Sequence, residues 1–147
     1  MMIDTRTAPY AALLLRLTLG GLFLAHAGLK IFVFTPAGTA GFFQSIGLPA
    51  GLAYLTMAWE VAGGLALLLG VWPRLVAVAM VPLMLGTIVT VHGANGFWFS
   101  NEHGGWEYPA FWSIALLALA LLGDGVAALK PGLPFVGATG AVRTQHS

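Results

Sequence analysis

Apolar positions along the chain fall into four runs, at about 11–34, 51–69, 75–92 and 108–122. Short stretches rich in glycine, proline and aromatic residues separate them. A helix crossing a bilayer needs about 20 consecutive apolar residues. The pattern predicts an all-α protein: an integral membrane four-helix up-down bundle. The first run carries three polar interruptions, Arg16, His26 and Lys30. At about 100° per residue they share one helix face with Gly20, Phe23 and Ala27. A charge in hydrocarbon costs at least about 2.5–3.5 kcal/mol, so this face should turn toward other helices and the Leu, Ile and Phe face toward lipid. The second run repeats the device. Glu60 stands near its midpoint, with Ala53, Thr56, Gly63 and Gly64 on the same face. A stripe of small residues lets helix backbones approach closely in lipid.

Between the runs, Thr35 to Gly41 reads as a break, because glycine and proline interrupt helices. Phe42 to Pro49 is too short to span and reads as an amphipathic segment lying at the interface. Gly70-Val71-Trp72-Pro73-Arg74 is a tight turn, and residues 93–107 form a glycine- and aromatic-rich loop. Pro109 sits in the first turn of the fourth run, where proline is tolerated. Gly123 and Asp124 end that run. The chain divides into a short lead, 1–10, a transmembrane domain, 11–124, and a polar tail, 125–147, expected to be flexible and cytoplasmic.

Composition sharpens the class. Of 147 residues, 59% are hydrophobic and only 7% charged, against about a quarter charged in soluble domains. There is no cysteine, which removes disulfides, thiolate nucleophiles and cysteine-ligated metal or iron–sulfur sites. A net charge of +1 gives no case for nucleic acid. Ala25-His26-Ala27 resembles a signal-cleavage site, but Arg16 interrupts the apolar core such a signal needs. The first run is read as a retained helix. Arg6, Arg74, Lys130 and Arg143 collect on one side of the bundle. The positive-inside rule then makes both termini cytoplasmic and the aromatic loops extracytoplasmic, with the cell membrane as the location.

The polar residues define the candidate chemistry. Arg16 and Glu60, judged by depth along the helices, are expected to form a buried structural ion pair. The alternative role for Glu60 is to hold a proton or a polar ligand in a cavity. His26, Lys30, His92 and Glu107 fall near one outer level. They are expected to bound a pocket there, capped by Phe97, Trp98 and Trp106. Each also has an ordinary role: Lys30 as a snorkelling anchor, His26 as a packing residue, His92 as a helix end and the aromatics as an interfacial belt. No H-x-x-x-H or E-x-x-H spacing occurs on one helix, so no metal site is expected. Histidine and lysine donors fit a quinone headgroup or a small oxyanion.

Taken in order, these pieces resemble the DoxX family of small four-helix membrane proteins. The first helix has Arg16, Gly20, His26, Gly28 and Lys30. Next come Gly38-Thr39-Ala40-Gly41-Phe42-Phe43 and Gly47-Leu48-Pro49, then Glu60-Val61-Ala62-Gly63-Gly64, Leu69-Gly70 and Pro73-Arg74. His92, Asn95-Gly96-Phe97 and Gly104-Gly105-Trp106-Glu107-Tyr108-Pro109 complete the series. The resemblance covers about residues 12–122. It implies a bundle of the wider DoxD-like group, associated with redox complexes. The small subunit of a thiosulfate:quinone oxidoreductase is similar to this family, and some members are described as partners of sulfurtransferase and superoxide dismutase. The absence of cysteine argues against thiol–disulfide roles and leaves quinone and assembly roles open.

Three functions therefore compete. The leading one is a membrane subunit of a quinone- or sulfur-linked redox system, offering a polar pocket and docking a partner protein. The second is a membrane scaffold or anchor without chemistry. The third is a small-molecule transporter or permeability factor, which would need a homo-oligomer. A single connected cavity lined by Glu60, His26, His92 and Glu107 would favour the first.

Overall fold

The computed structural model describes residues 4–130. Every named element among them is helical, and the one β-type contact is an isolated parallel bridge between Val71 and Lys130. α1 (Ala8–Gly28) continues through a π-helical turn (Leu29–Val33). α2 (Pro36–Ser45) follows, then α3 (Ala50–Leu69) and α4 (Pro73–Thr87). A second π-helical turn (Ile88–His92) and a 3-10 turn (Gly93–Asn95) extend α4. α5 (Glu107–Leu122) closes the described part.

Three stretches are long and apolar enough to cross a membrane: Ala8–Val33, Ala50–Leu69 and Pro73–Asn95. α5 is equally apolar but has 16 residues, giving a length of about 24 Å at 1.5 Å per residue. α1 packs along α3, α4 along α5, and α2 against α3.

The α1–α3 contact is made by glycine. A Cβ on Gly20 would lie 2.8 Å from the Gly64 carbonyl oxygen, and one on Gly64 would lie 3.0 Å from that of Gly20. The absence of side chains at this point allows the two backbones to touch. The face predicted for α1 is the one buried, with Arg16, Gly20, Phe23 and Ala27 inside. The α3 face likewise buries Ala53, Thr56, Glu60, Gly63 and Gly64. Leu67, Met80, Leu116 and Leu119 fill the core between the helix pairs.

Three expectations are corrected. The break after the first helix is confined to Phe34 and Thr35, since α2 already begins at Pro36. Proline suits the first helical position, and the Thr35 hydroxyl accepts a hydrogen bond from the Gly38 amide at 3.1 Å. Glycines 38 and 41 are therefore helical, and Thr39 and Ala40 are buried. Second, the segment after α5 is not loose through Lys130. The Val126 amide donates to Pro9, Leu129 to Leu69 and Lys130 to Gly70, while Trp72 donates back to Lys130. The rest of the expected tail, 131–147, lies outside the described residues.

The third correction concerns Arg16. Its guanidinium is buried, but its partner is not Glu60. It donates to the backbone carbonyls of Asp124 at 2.9 Å and of Val126 and Ala127 at 3.3 Å. A Cβ on Gly70 would collide with this guanidinium, and Gly70 holds a left-handed φ of +69° as it ends α3. Only glycine meets both demands. Arg16 thus ties α1, the α3–α4 turn and the segment after α5 together at one end of the bundle.

Candidate functional site

Glu60 is paired with Lys30. The lysine Nζ lies 2.8 Å from one carboxylate oxygen and 3.0 Å from the other. The reason lies in helix register. The Gly20–Gly64 contact sets Glu60 level with about Leu24 on the antiparallel α1. Arg16 is then roughly 12 Å to one side and Lys30 roughly 9 Å to the other, at 1.5 Å per residue. Cβ bonds tilt toward a helix N-terminus. Lys30 therefore leans back toward Glu60, and Glu60, on the reversed helix, leans toward Lys30. Arg16 leans away. Depth alone favours Arg16 and Lys30 almost equally; tilt decides.

The pair borders a cavity of about 1130 Å³ enclosed by all five helices. Its lining includes His26, Lys30, Thr39, Glu60, His92, Tyr108 and Trp112. α2 forms its roof with Phe42 and Phe43. Its mouth lies between exposed residues of α3 (Leu52, Leu55 and Trp59) and those of α4 and its π-helical turn (Pro82, Gly86 and Thr90). In a membrane-spanning helix such positions face hydrocarbon. The cavity thus opens sideways.

Both π-helical turns contribute to it. One carries Leu29 and Lys30, the other Thr90, Val91 and His92. Single π-turns recur at functional sites because they rotate side chains out of helical register and free backbone carbonyls. The Lys30 carbonyl accepts a hydrogen bond from the Thr39 hydroxyl at 3.1 Å, tying α2 to the turn.

Each histidine is fixed by its Nδ1. His26 Nδ1 lies 3.0 Å from the Leu22 carbonyl oxygen, and His92 Nδ1 lies 2.8 Å from that of Gly104. The His26 ring also meets Trp112 edge-on at 5.0 Å, and Trp112 meets Phe23 and Tyr108. The Trp112 indole N–H is buried and has no partner among the described residues.

Four of the predicted residues, His26, Lys30, Glu60 and His92, therefore share one cavity. Glu107, Trp98 and Trp106 do not line it. The Glu107 carboxylate accepts from the Phe99 amide at 3.1 Å, closing its own loop. Trp106 packs on Phe97, which also meets Trp98. Together with Phe99 and Tyr108, Glu107 and Trp106 border a separate shallow groove beside α5. The loop folds on itself because Gly96 and Trp98 carbonyls accept from the Trp106 and Gly105 amides. The roof is α2 instead. Thr39, Tyr108 and Trp112 were not foreseen as lining. Thr39 could have been found from its place opposite the end of the first helix. No group of three His, Asp or Glu among the described residues is placed to hold a metal ion.

The fold and cavity define a small helical membrane protein with a laterally open, largely apolar cavity and a part-buried ion pair on its wall. The comparisons narrow the class. The DoxX family model matches residues 11–93. A curated Bacillus subtilis protein named "Putative oxidoreductase CatD" is 36% identical over 119 residues, covering 81% of this chain and 84% of its own length. No solved structure matches. The chain belongs to the DoxX family.

Proposed function

We propose that the chain is a four-span subunit of a redox system in the cell membrane, with both termini cytoplasmic. In this reading it holds a quinone-class carrier in the lateral cavity on behalf of a partner protein. The observation that carries it is the cavity itself. Its mouth is apolar and faces the hydrocarbon zone, while its lining also holds histidine, lysine, carboxylate and tyrosine groups drawn from α1, α3, α5 and the two π-helical turns. Small-molecule sites share this build, an apolar cavity with a few placed polar groups. A carrier ring fits the polar wall and its isoprenoid tail leaves through the mouth into lipid. The oxidoreductase named among the relatives supports the redox assignment. Residues 11–124 make up the membrane domain, and α5 completes the fourth crossing with its flanking aromatic loop.

The test is extraction from native membranes into lipid nanodiscs, followed by mass spectrometry of the bound lipids. About one quinone per chain is expected. Gly86 borders the mouth, and a Cβ there meets nothing within 4 Å. Gly86→Trp should therefore fold normally and lose the quinone. Undiminished quinone in Gly86→Trp, or none in the native protein, would reject the reading.

A further inference from the structure

The cavity's polar groups differ in which of their hydrogens are engaged. A backbone carbonyl only accepts, so the Nδ1 atoms of His26 and His92 carry the protons in their contacts with Leu22 and Gly104. In a neutral imidazole the other nitrogen is then a bare acceptor. No protein group bonds either Nε2 among the described residues. The threonines follow suit. Thr39 donates to backbone carbonyls at 3.0 and 3.1 Å, Thr87 to Met84 and Thr90 to Gly86, both at 2.8 Å. Two of the three hydrogens of Lys30 are held by Glu60, leaving one beside the carboxylate, and the Trp112 N–H is sealed from solvent. The Tyr108 and Thr56 hydroxyls can turn either way. At its two histidines the lining therefore offers bare acceptors and no donor.

We infer that the cavity recognises the reduced, hydroxyl-bearing form of its ring ligand, a hydroquinone, in preference to the oxidised quinone. This rests on the quinone reading above and deepens it. A quinol hydroxyl donates to an Nε2 lone pair, whereas a quinone carbonyl offers no hydrogen and faces acceptors. Buried acceptors left without a donor cost stability, so the discrimination is against the oxidised form. His26 and His92 are the positioning residues. Tighter binding of the reduced form raises the midpoint potential of the bound carrier. A tenfold preference corresponds to about 30 mV for this two-electron couple.

The experiment measures binding of a decyl-substituted benzoquinone and of its quinol, under anaerobic conditions, to the protein in nanodiscs. At least tenfold tighter binding of the quinol is expected. His26→Phe, which keeps a ring beside Trp112, should lower the ratio without weakening the oxidised form, and His26→Phe combined with His92→Phe should bring it close to one. His26→Gln, which restores an acceptor, should recover part of the preference. Redox titration of the bound couple reads the same quantity independently. Equal binding of the two forms, or tighter binding of the quinone, overturns this inference and leaves the cavity reading standing. Binding of neither form overturns both.

Discussion

Lys30 and Glu60 lie thirty positions apart in sequence, yet the lysine Nζ sits within 3.0 Å of both carboxylate oxygens of Glu60. Their side chains are 22% and 7% exposed, so the pair is largely withdrawn from solvent. It lines the cavity and locks the C-terminal end of the first helix to α3. A buried pair of this kind is worth more as a constraint than as a net attraction, because removing one partner leaves an orphan charge.

Lys30→Met and Glu60→Gln should therefore each destabilise the protein, by on the order of 3 kcal/mol. The double variant should lose clearly less than the sum, since no orphan charge remains. Thermal melts in detergent check this. Additive losses would mean the two side chains do not interact.

Arg16 makes a different prediction. It donates to three backbone carbonyls beyond α5 and sits away from Glu60. Hydrogen bonds to a charged donor contribute about 1.5–3 kcal/mol. Arg16→Gln should lower the melting temperature and release the segment around Val126 and Leu129, seen as faster amide exchange there. Combined with Glu60→Gln, its effect should be additive. Strong coupling between these two changes would argue for a direct Arg16–Glu60 pair.

The glycine crossing should be unforgiving. Gly20→Ala places a methyl 2.8 Å from the Gly64 oxygen, while Gly21→Ala meets nothing within 4 Å. The first should reduce folded yield and disturb the Lys30–Glu60 register; the second should leave both unchanged. Size-exclusion profiles and melting temperatures of the two variants, compared side by side, decide it.

The proposed orientation, with both termini cytoplasmic, rests on the Lys and Arg distribution. A single cysteine placed at Ser100 should react with a membrane-impermeant maleimide in intact cells. The native chain has no cysteine to confuse the signal. Labelling only after the membrane is breached would reverse the topology.

Much of this was legible in the sequence. Apolar runs with the right length placed α1, α3 and α4 to within a few residues, because hydrophobic periodicity is a local property. The buried faces were legible too: charges and small residues on one side of α1 and α3 cannot face lipid. The aromatic loop was misjudged as the cavity roof because its self-contained hydrogen bonds, such as Phe99 to Glu107, depend on turns that composition does not specify. α2 is held on the roof by Thr39 bonding the Lys30 carbonyl and by its packing against α3, a contact between segments that no local pattern specifies.

The sequence by itself determined the class of protein, its four long helices, the inward faces of α1 and α3 and the polar residues available to any site. It left two cations, Arg16 and Lys30, competing for one carboxylate. Only the tertiary structure decided between them. The Gly20–Gly64 contact fixes an antiparallel register, and within it the tilt of every side chain toward its own helix N-terminus brings Lys30 and Glu60 together and turns Arg16 away. The cavity has the same origin. It is bounded by residues from all five helices, and a void between elements belongs to no single stretch of chain.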